Sequence, residues 1–461
     1  MTNACRATLR RVTQPSATSI AAALFAGLIL IYNSNGREQQ PIDSQPTKLA
    51  ARALARDGVL TLDRDVAERP ALAARVSFQK DREGHFRSGY SPVPSLIAAA
   101  PAWILSSVGL VDLDAPLAPN LIAALTASLL IAGAVVLVFL SLIRIVPTRI
   151  ALYTAIGLGL GTNYWALLSR TLWQHETVAY GTALALWAWL RPSHTLTRLR
   201  GVIGGVGLAL ACMCRLQVLP MAGLMLLWFA VRAGLINALI AGGIVVAAVA
   251  ALFAAQYHWF GDALGGFAAM LRAELTPAEH GVTSSFSSQP WMGALGLLAS
   301  PSRGLLVFSP VFALVFVGAP RSIREFRDLR LGWLLAASAA LFLEYASYSV
   351  WWGGFTFGPR YMMDLLVPLT PAAALGVEAA LARPWSRWLA GAALAWSIVV
   401  SATGAYMYPN DQWNTSPESV DTHHARLWDW RDPQIVRAWR RGPSPQDFDL
   451  FTRAAVRANP H

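Results

Sequence analysis

Long apolar runs recur along the whole chain and are separated by short turns that carry arginine. Several of these runs approach the roughly 20 residues that an α-helix needs to cross a bilayer. Only 14% of the 461 residues are charged, against about 25% in a typical soluble domain. The sequence therefore predicts an all-α polytopic membrane protein.

The net charge of +11 is spread over short arginine clusters between the apolar runs. Cytoplasmic loops of membrane proteins are enriched in Lys and Arg, whereas a nucleic-acid-binding domain concentrates its basic residues on one face. The charge pattern therefore reports membrane topology and predicts no nucleic-acid partner.

Arginine placement also predicts the course of the chain. The basic N-terminal arm is placed in the cytoplasm, and the first span, about Ser19 to Tyr32, is a retained anchor because no convincing signal-peptide cleavage site follows it. The segment 92–111 contains three prolines and is predicted to be embedded without crossing, since a crossing would put Arg144 and Arg149 outside. The remaining spans are predicted at roughly 118–143, 149–168, 177–190, 201–214, 216–231, 235–256, 303–319, 331–350, 362–382 and 388–407.

This gives about eleven spans in the inner membrane, with the C-terminus on the periplasmic side. Residues 1–407 are the predicted transmembrane module, including a first outer loop over 33–117, and 408–461 are a tail expected to fold over the outer face. The cytoplasmic turns contain no nucleotide-binding motif. The energy for any reaction on the outer face must therefore arrive with the substrate.

The stretch from Tyr348 to Asp364 lies between two apolar runs and is rich in glycine and aromatic residues. Glycines allow close approach of the backbone to a ligand. Trp351 and Trp352 are suited to the membrane interface or to stacking on a sugar ring, and Arg360 offers a planar fork for a phosphate. Together with Tyr361, these residues predict a site for a phosphate-linked sugar.

Three acidic or imidazole side chains on the outer face are candidates for proton transfer. Asp43 follows the first span and would act as general base on an acceptor hydroxyl; the alternative is a helix cap or a solvated loop charge. His175 and Glu176 open a span, where they would orient the acceptor or bind the sugar, while an acid at a helix start is equally explained by the helix dipole.

Two further arginines lie on the predicted outer face, against the positive-inside trend. Arg215 interrupts an apolar stretch, where an arginine is costly unless it has a partner or reaches the interface. Arg303 opens a helix, near free backbone N–H groups that attract anions. With Arg360 they would form a phosphate clamp.

The three cysteines, Cys5, Cys212 and Cys214, predict neither a disulfide framework nor a metal site. A divalent metal is compatible with the sequence but is not indicated by it. No cofactor is predicted.

These motifs, in this order, resemble those of the GT-C superfamily of integral-membrane glycosyltransferases. The branch they are most similar to contains the protein O-mannosyltransferases and the aminoarabinose transferases. The resemblance covers most of the chain and rests on four elements: the Tyr90-Ser-Pro-Val-Pro94 segment, Trp173-Gln-His175-Glu176, Ser300-Pro-Ser-Arg303-Gly304, and Trp351-Trp-Gly-Gly with Gly358-Pro-Arg360-Tyr361. The last two are the more specific.

The resemblance implies a polyprenyl-phosphate sugar donor, and transfer on the outer face, usually with inversion. It implies that an acid in the first outer loop, best matched by Asp43, is the base, and that Arg215, Arg303 or Arg360 holds the phosphate. Many members carry two adjacent acids in that loop, whereas Asp43 is followed by Ser44. The acceptor is a lipid, a glycan or a protein.

Two other functions account for part of the pattern. A transporter or flippase for a lipid-linked sugar would need the spans and arginines but no base, and it predicts an internal repeat; the polar clusters differ in type between the halves. A non-catalytic scaffold leaves the Trp351 to Arg360 motif unexplained. The glycosyltransferase hypothesis is therefore preferred.

Overall fold

The computed structural model describes residues 16–39, 41–274, 284–287 and 289–446. Helices make up most of this part of the chain, and they are, in order, α1 (Ala17–Asn33), α2 (Gln45–Asp57), α3 (Asp63–Glu68), α4 (Val93–Ser107), α5 (Ala118–Leu142), α6 (Thr148–Leu160), α7 (His175–Trp189), α8 (Arg198–Cys214), α9 (Leu219–Ala233), α10 (Leu235–Phe260), α11 (Gly266–Glu274), α12 (Pro290–Ala299), α13 (Leu305–Phe308), α14 (Leu314–Arg324), α15 (Gly332–Ala346), α16 (Leu366–Leu381), α17 (Pro384–Met407) and α18 (Gln434–Arg441). One antiparallel hairpin joins β1 (Phe78–Lys80) to β2 (Phe86–Ser88), with Phe78 opposite Ser88.

The prediction of an all-α polytopic membrane protein is confirmed. Within the described residues, five helical segments are long and apolar enough to cross a membrane: Ala118–Leu142, Leu216–Ala233, Leu235–Phe260, Arg360–Leu381 and Pro384–Met407. Five shorter helices are also apolar: Ala17–Asn33, Val93–Ser107, Thr148–Leu160, Pro290–Ala299 and Gly332–Ala346. Every predicted span contains helix.

The predicted span at 303–319 is not one continuous helix. It is divided into α13, a short 3-10 helix over Pro310–Ala313, and α14. Pro310 has no N–H to continue the hydrogen-bond ladder, and Ser309 before it leaves the helical conformation. The helix is therefore interrupted within the predicted span.

Small residues let neighbouring helices pack closely, as is common in membrane proteins. Gly181 of α7 faces Gly207 of α8, and a Cβ on either residue would collide with the backbone of the other helix. Gly318 of α14 and Gly376 of α16 make an equivalent close approach to the opposite helix. These contacts bring α7 against α8, and α14 against α16.

The predicted cytoplasmic turns lie together at one end of the bundle. Arg144 donates to the carbonyl oxygens of Trp187 and Leu190, and Trp228 donates to the carbonyl oxygen of Leu329. The opposite end holds the first loop, the stretch after α15 and residues 408–446 of the tail, whereas residues 447–461 and the N-terminal arm lie outside the described residues. The helix ends are therefore grouped as the arginine pattern predicts.

The segment 92–111 forms α4, which packs along α2. Ser95 donates to the carbonyl oxygen of Thr47 at 2.8 Å. The start of α4 lies beside Gln256 near the end of α10, and the residues after α4 pack on the start of α5. Both ends of α4 are therefore at the same end of the bundle, as expected for a segment that does not cross.

Buried ion pairs hold the first loop together. Lys48 pairs with Glu38 at 2.8 Å, and Arg52 of α2 pairs with Asp65 of α3. Burial raises the pKa of Asp65, although the charge of Arg52 opposes this shift. A small apolar core that includes Phe78 lies between α2 and the hairpin.

Candidate active site

Asp43 and Arg360 form an ion pair at the end of the bundle where α2 and α16 begin. Asp43 lies in a 3-10 helix over Ile42–Ser44, and its Oδ2 is 3.2 Å from Nη1 of Arg360. The Arg360 guanidinium also lies over the ring of Trp173, with Cζ 5.0 Å from the ring centre. Asp43 remains 41% exposed, so the carboxylate is accessible to a second substrate.

Arg215 is held in a buried network centred on Asp364. Its Nε is 3.2 Å from Oδ2 of Asp364, and the same carboxylate contacts Nδ1 of His175 at 2.8 Å. The hydroxyl of Tyr345 donates to Asp364 at 2.6 Å. Because Asp364 offsets the arginine charge in an apolar surrounding, Arg215 can remain buried at the rim of the bundle.

The ring of Tyr361 connects the two arginines. The Cζ atoms of Arg360 and Arg215 lie 5.7 and 5.8 Å from its centre, and the ring stacks on Tyr345 at 4.8 Å. An aromatic face between two guanidiniums is attractive to each of them. Two cations are thus held close together, next to one accessible carboxylate.

The two residues that open α7 have different surroundings. His175 belongs to the Asp364 network. Glu176 is fully buried, and within the described residues its carboxylate receives no side-chain hydrogen bond. A buried carboxylate without a cationic partner is costly in its charged form, and the start of α7 supplies favourable backbone dipoles.

Arg303 lies deeper than the other arginines. Its N–H groups donate to the carbonyl oxygens of Trp352, Ser302 and Gly354 and to the side chains of Gln434 and Asn414. A guanidinium has five N–H groups, so these acceptors use all of them. Arg303 therefore ties the tail to the glycine-rich stretch and offers no free donor to a phosphate.

The paired tryptophans also face the tail. Trp352 donates from Nε1 to Asp421 at 2.7 Å and lies against His424. Trp351 contacts the ring of Trp428 at 6.0 Å. Both tryptophans are buried, and their packing holds the tail over this end of the bundle.

The sequence analysis did not select Asp364, Tyr345 or Trp173 as site residues. Asp364 ends the motif that was singled out, and an acid inside an apolar run is the signal that would have identified it. Trp173 belongs to the Trp173-Gln-His175-Glu176 element, but its contact with Arg360 and the place of Tyr345 in the Asp364 network depend on packing that the local sequence does not show.

A groove lies next to Arg215 and extends toward the membrane-facing helices. Its polar lining consists of Tyr90, Ser91, Gln174, Gln217 and Gln256. Its apolar lining comes from the end of α8, from Leu216, and from α10 and α11. Amides and hydroxyls suit sugar hydroxyls, and the apolar side suits a lipid chain. Over the described ranges, no group of three or more His, Cys, Asp or Glu side chains could hold a metal ion.

No family model and no curated protein sequence matches the chain. Among solved structures it is similar to ArnT from Cupriavidus metallidurans bound to undecaprenyl phosphate, with a TM-score of 0.51 and 13% identity over 92% of this chain and 77% of ArnT. This chain shares the fold of ArnT. The resemblance predicted from the sequence is therefore confirmed at the level of the fold.

A second solved structure aligns less well. The oligosaccharyltransferase of Archaeoglobus fulgidus, in complex with Zn and sulfate, has a TM-score of 0.44 and 14% identity, over 97% of this chain and 59% of that protein. A TM-score this low adds nothing to the assignment.

Proposed function

We propose that this GT-C protein is a glycosyltransferase that moves a sugar from a polyprenyl-phosphate donor to an acceptor at the membrane face that holds Asp43. The observation that carries the proposal is the 3.2 Å pair between Asp43 and Arg360, with Arg215 on the other side of Tyr361. A base and two cations meet where a lipid phosphate would enter from the bilayer. The neighbour ArnT was solved with undecaprenyl phosphate, which supports this class of donor.

In the proposed reaction, Asp43 accepts the proton of an acceptor hydroxyl as its oxygen attacks the anomeric carbon. The bond between that carbon and the phosphate oxygen breaks, and polyprenyl phosphate leaves with the bonding electrons. Attack from the face opposite the leaving group inverts the anomeric centre. Arg360 and Arg215 stabilise the charge that grows on the phosphate.

The other predicted residues have supporting roles in this scheme. His175 holds Asp364, which holds Arg215, so His175 and Asp364 position the clamp. Glu176 is the second candidate for the base, because a buried acid can exchange a proton with a nearby hydroxyl. Arg303 positions the tail and the stretch around Trp351 and Trp352.

The groove beside Arg215 supports a donor whose sugar contacts amide and hydroxyl groups while its chain lies along apolar helices. The acceptor is a lipid, a glycan or a protein, and no metal is required by the scheme. We propose the inner membrane as the location, with the N-terminus in the cytoplasm and the C-terminus in the periplasm.

The proposal is tested with the full chain in liposomes and a polyprenyl-phosphate sugar that carries a radioactive label on the sugar. Release of unglycosylated polyprenyl phosphate is measured together with labelled acceptor in a membrane extract. Asp43→Asn is expected to lower transfer about 100-fold or more, the usual contribution of a general base. Asp57→Asn, which removes an acid paired with Arg56 in the same loop, is the matched control.

The same assay distinguishes a glycosyltransferase from a flippase. A flippase needs no base, so Asp43→Asn would still move the labelled lipid between leaflets. If wild type and variant both moved the labelled lipid between leaflets without releasing polyprenyl phosphate, the transferase proposal would be overturned. If Asp43→Asn transferred sugar at the normal rate, the role of general base would be assigned to Glu176.

A further inference from the structure

Three arginines surround one tryptophan at the end of the bundle opposite Asp43. The Cζ atoms of Arg144, Arg191 and Arg200 lie 5.8, 5.4 and 4.9 Å from the ring centre of Trp187. Trp187 is in the last turn of α7, Arg191 follows that helix, and Arg200 is in the first turn of α8. We call these four residues the Trp187 cluster.

Helix capping explains one arginine of the cluster and a fourth arginine beside it. Arg144 donates to the carbonyl oxygens of Trp187 and Leu190, and Arg232 donates to those of Trp189 and Arg191. The last carbonyl groups of a helix lack intrahelical partners and attract cations. Arg144 and Arg232 therefore complete the C-terminal end of α7.

Capping does not explain Arg191 and Arg200. Within the described residues, Nε of Arg191 and Nη1 of Arg200 are buried and have no hydrogen-bond partner. Neither side chain takes part in an ion pair among the described residues. Burial lowers the pKa of Arg191, and the charge of Arg200 lowers it further. An anion bound by the other N–H groups of the two guanidiniums would remove the repulsion between them.

The surroundings favour a lipid over a soluble anion. The first turns of α8 and α10 are adjacent, since Gly201 approaches the backbone of Asn237. Leu199, Leu235 and Ile236 lie on these turns with most of their side chains exposed. Apolar side chains beside a basic cluster at a membrane boundary provide a surface for acyl chains next to a site for the headgroup.

We propose that the Trp187 cluster binds the phosphate group of an anionic phospholipid, at the membrane face opposite the site of sugar transfer. Arg191 and Arg200 donate to the phosphate oxygens, and Trp187 holds their guanidiniums in place. The acyl chains lie along Leu199 and Ile236. This site is independent of the proposed transferase, because none of its residues contacts the Asp43 end.

The test uses the purified full chain and native mass spectrometry with phosphatidylglycerol as the probe. The double variant R191Q/R200Q removes two charges from the cluster. The matched control R149Q/R198Q removes two exposed charges from the same end, where neither arginine contacts Trp187. We expect R191Q/R200Q to weaken phosphatidylglycerol binding about tenfold or more, and the control to change it less than about twofold.

A second variant tests whether the geometry matters beyond the charge. R191K/R200K keeps both charges but loses the planar forks, and its binding is expected to lie between wild type and R191Q/R200Q. It also provides a measurement if R191Q/R200Q does not fold. Thermal unfolding in detergent checks that each variant is native.

Three results would overturn the proposal. An equal loss in R191Q/R200Q and R149Q/R198Q would mean that net charge alone attracts the lipid. Equal binding of phosphatidylglycerol and phosphatidylcholine would remove the need for an anionic headgroup. Inorganic phosphate that competes at the same concentration as phosphatidylglycerol would assign the cluster to a soluble anion.

Discussion

The carboxylate of Asp43 lies 3.2 Å from the guanidinium of Arg360, although 317 positions separate the two residues in the chain. The proposed base and the proposed phosphate ligand are therefore paired with each other. A donor phosphate would compete with Asp43 for Arg360, and its binding would free the carboxylate to accept a proton. Donor binding and activation of the base would then be coupled at one contact.

Asp43→Asn is expected to bind the donor more tightly while it loses transfer. The variant removes the competing charge but keeps the shape of the side chain. Because the pair is partly exposed, it contributes about 0.2–1 kcal/mol, so affinity is expected to rise by up to about fivefold. This change in affinity is measured by equilibrium binding of a fluorescent polyprenyl phosphate to the protein in nanodiscs. An affinity that falls would show that Asp43 helps to hold the donor.

Arg360→Ala is expected to weaken donor binding about tenfold or more, since a hydrogen bond to a charged group contributes about 1.5–3 kcal/mol. Arg360→Lys is expected to recover only part of this affinity because the planar fork is lost. The same nanodisc assay measures both variants. Arg37→Ala, which removes another arginine at this end, is the control. Unchanged affinity in both Arg360 variants would leave Arg215 as the main phosphate ligand.

Asp364→Asn is expected to lower both stability and donor affinity. The substitution leaves the buried Arg215 with a neutral partner in place of its carboxylate, and breaking a buried pair costs about 3–5 kcal/mol. Tyr345→Phe removes the hydroxyl that donates to Asp364 and accepts from Arg215 but keeps the ion pair, and is expected to cost about 1–3 kcal/mol. Thermal unfolding and donor binding are measured for both. If Asp364→Asn unfolded at the same temperature as the wild type and bound the donor equally well, Asp364 would not position Arg215.

Local patterns were enough to predict the helices and to select candidate site residues. Apolar length predicted the helices, and charges at span ends selected Asp43, Arg215 and Arg360, which the structure brings together at one end of the bundle. Local pattern does not say which helices are neighbours, so the partnership of Arg215 with Asp364 and Tyr345 was not foreseen. For the same reason, Arg303 was grouped with the phosphate ligands, whereas its donors are used by Gln434 and Asn414 in the tail.

The tail is expected to become less stable as the pH rises. Burial raises the pKa of Asp411 to about 6 from 3.8; its side chain is buried beside Trp413. The folded tail therefore holds this proton more tightly than the unfolded chain does. The resulting stabilisation is complete below about pH 4 and is lost as the pH rises through about 6.

Hydrogen exchange of tail amides at pH 5 and pH 7.5, corrected for the intrinsic rate, measures this effect. Asp411→Asn is expected to flatten the pH dependence, since the amide does not titrate. Asp429→Asn, elsewhere in the tail, is expected to leave it unchanged. Equal pH dependence in wild type and Asp411→Asn would assign the effect to another group.

Sidedness is tested by labelling single cysteines on intact cells with a maleimide that does not cross membranes. Glu83, His194 and Asp328 are exposed in turns, and Cys212 and Cys214 are buried; Cys5 is replaced by serine. Positive-inside topology predicts that Glu83→Cys is labelled, whereas His194→Cys and Asp328→Cys are labelled only after the cells are opened. Labelling of Asp328→Cys but not Glu83→Cys on intact cells would place Asp43, Arg215 and Arg360 in the cytoplasm. A nucleotide-linked donor would then be available to the site, and the reason for a polyprenyl-phosphate donor would be lost.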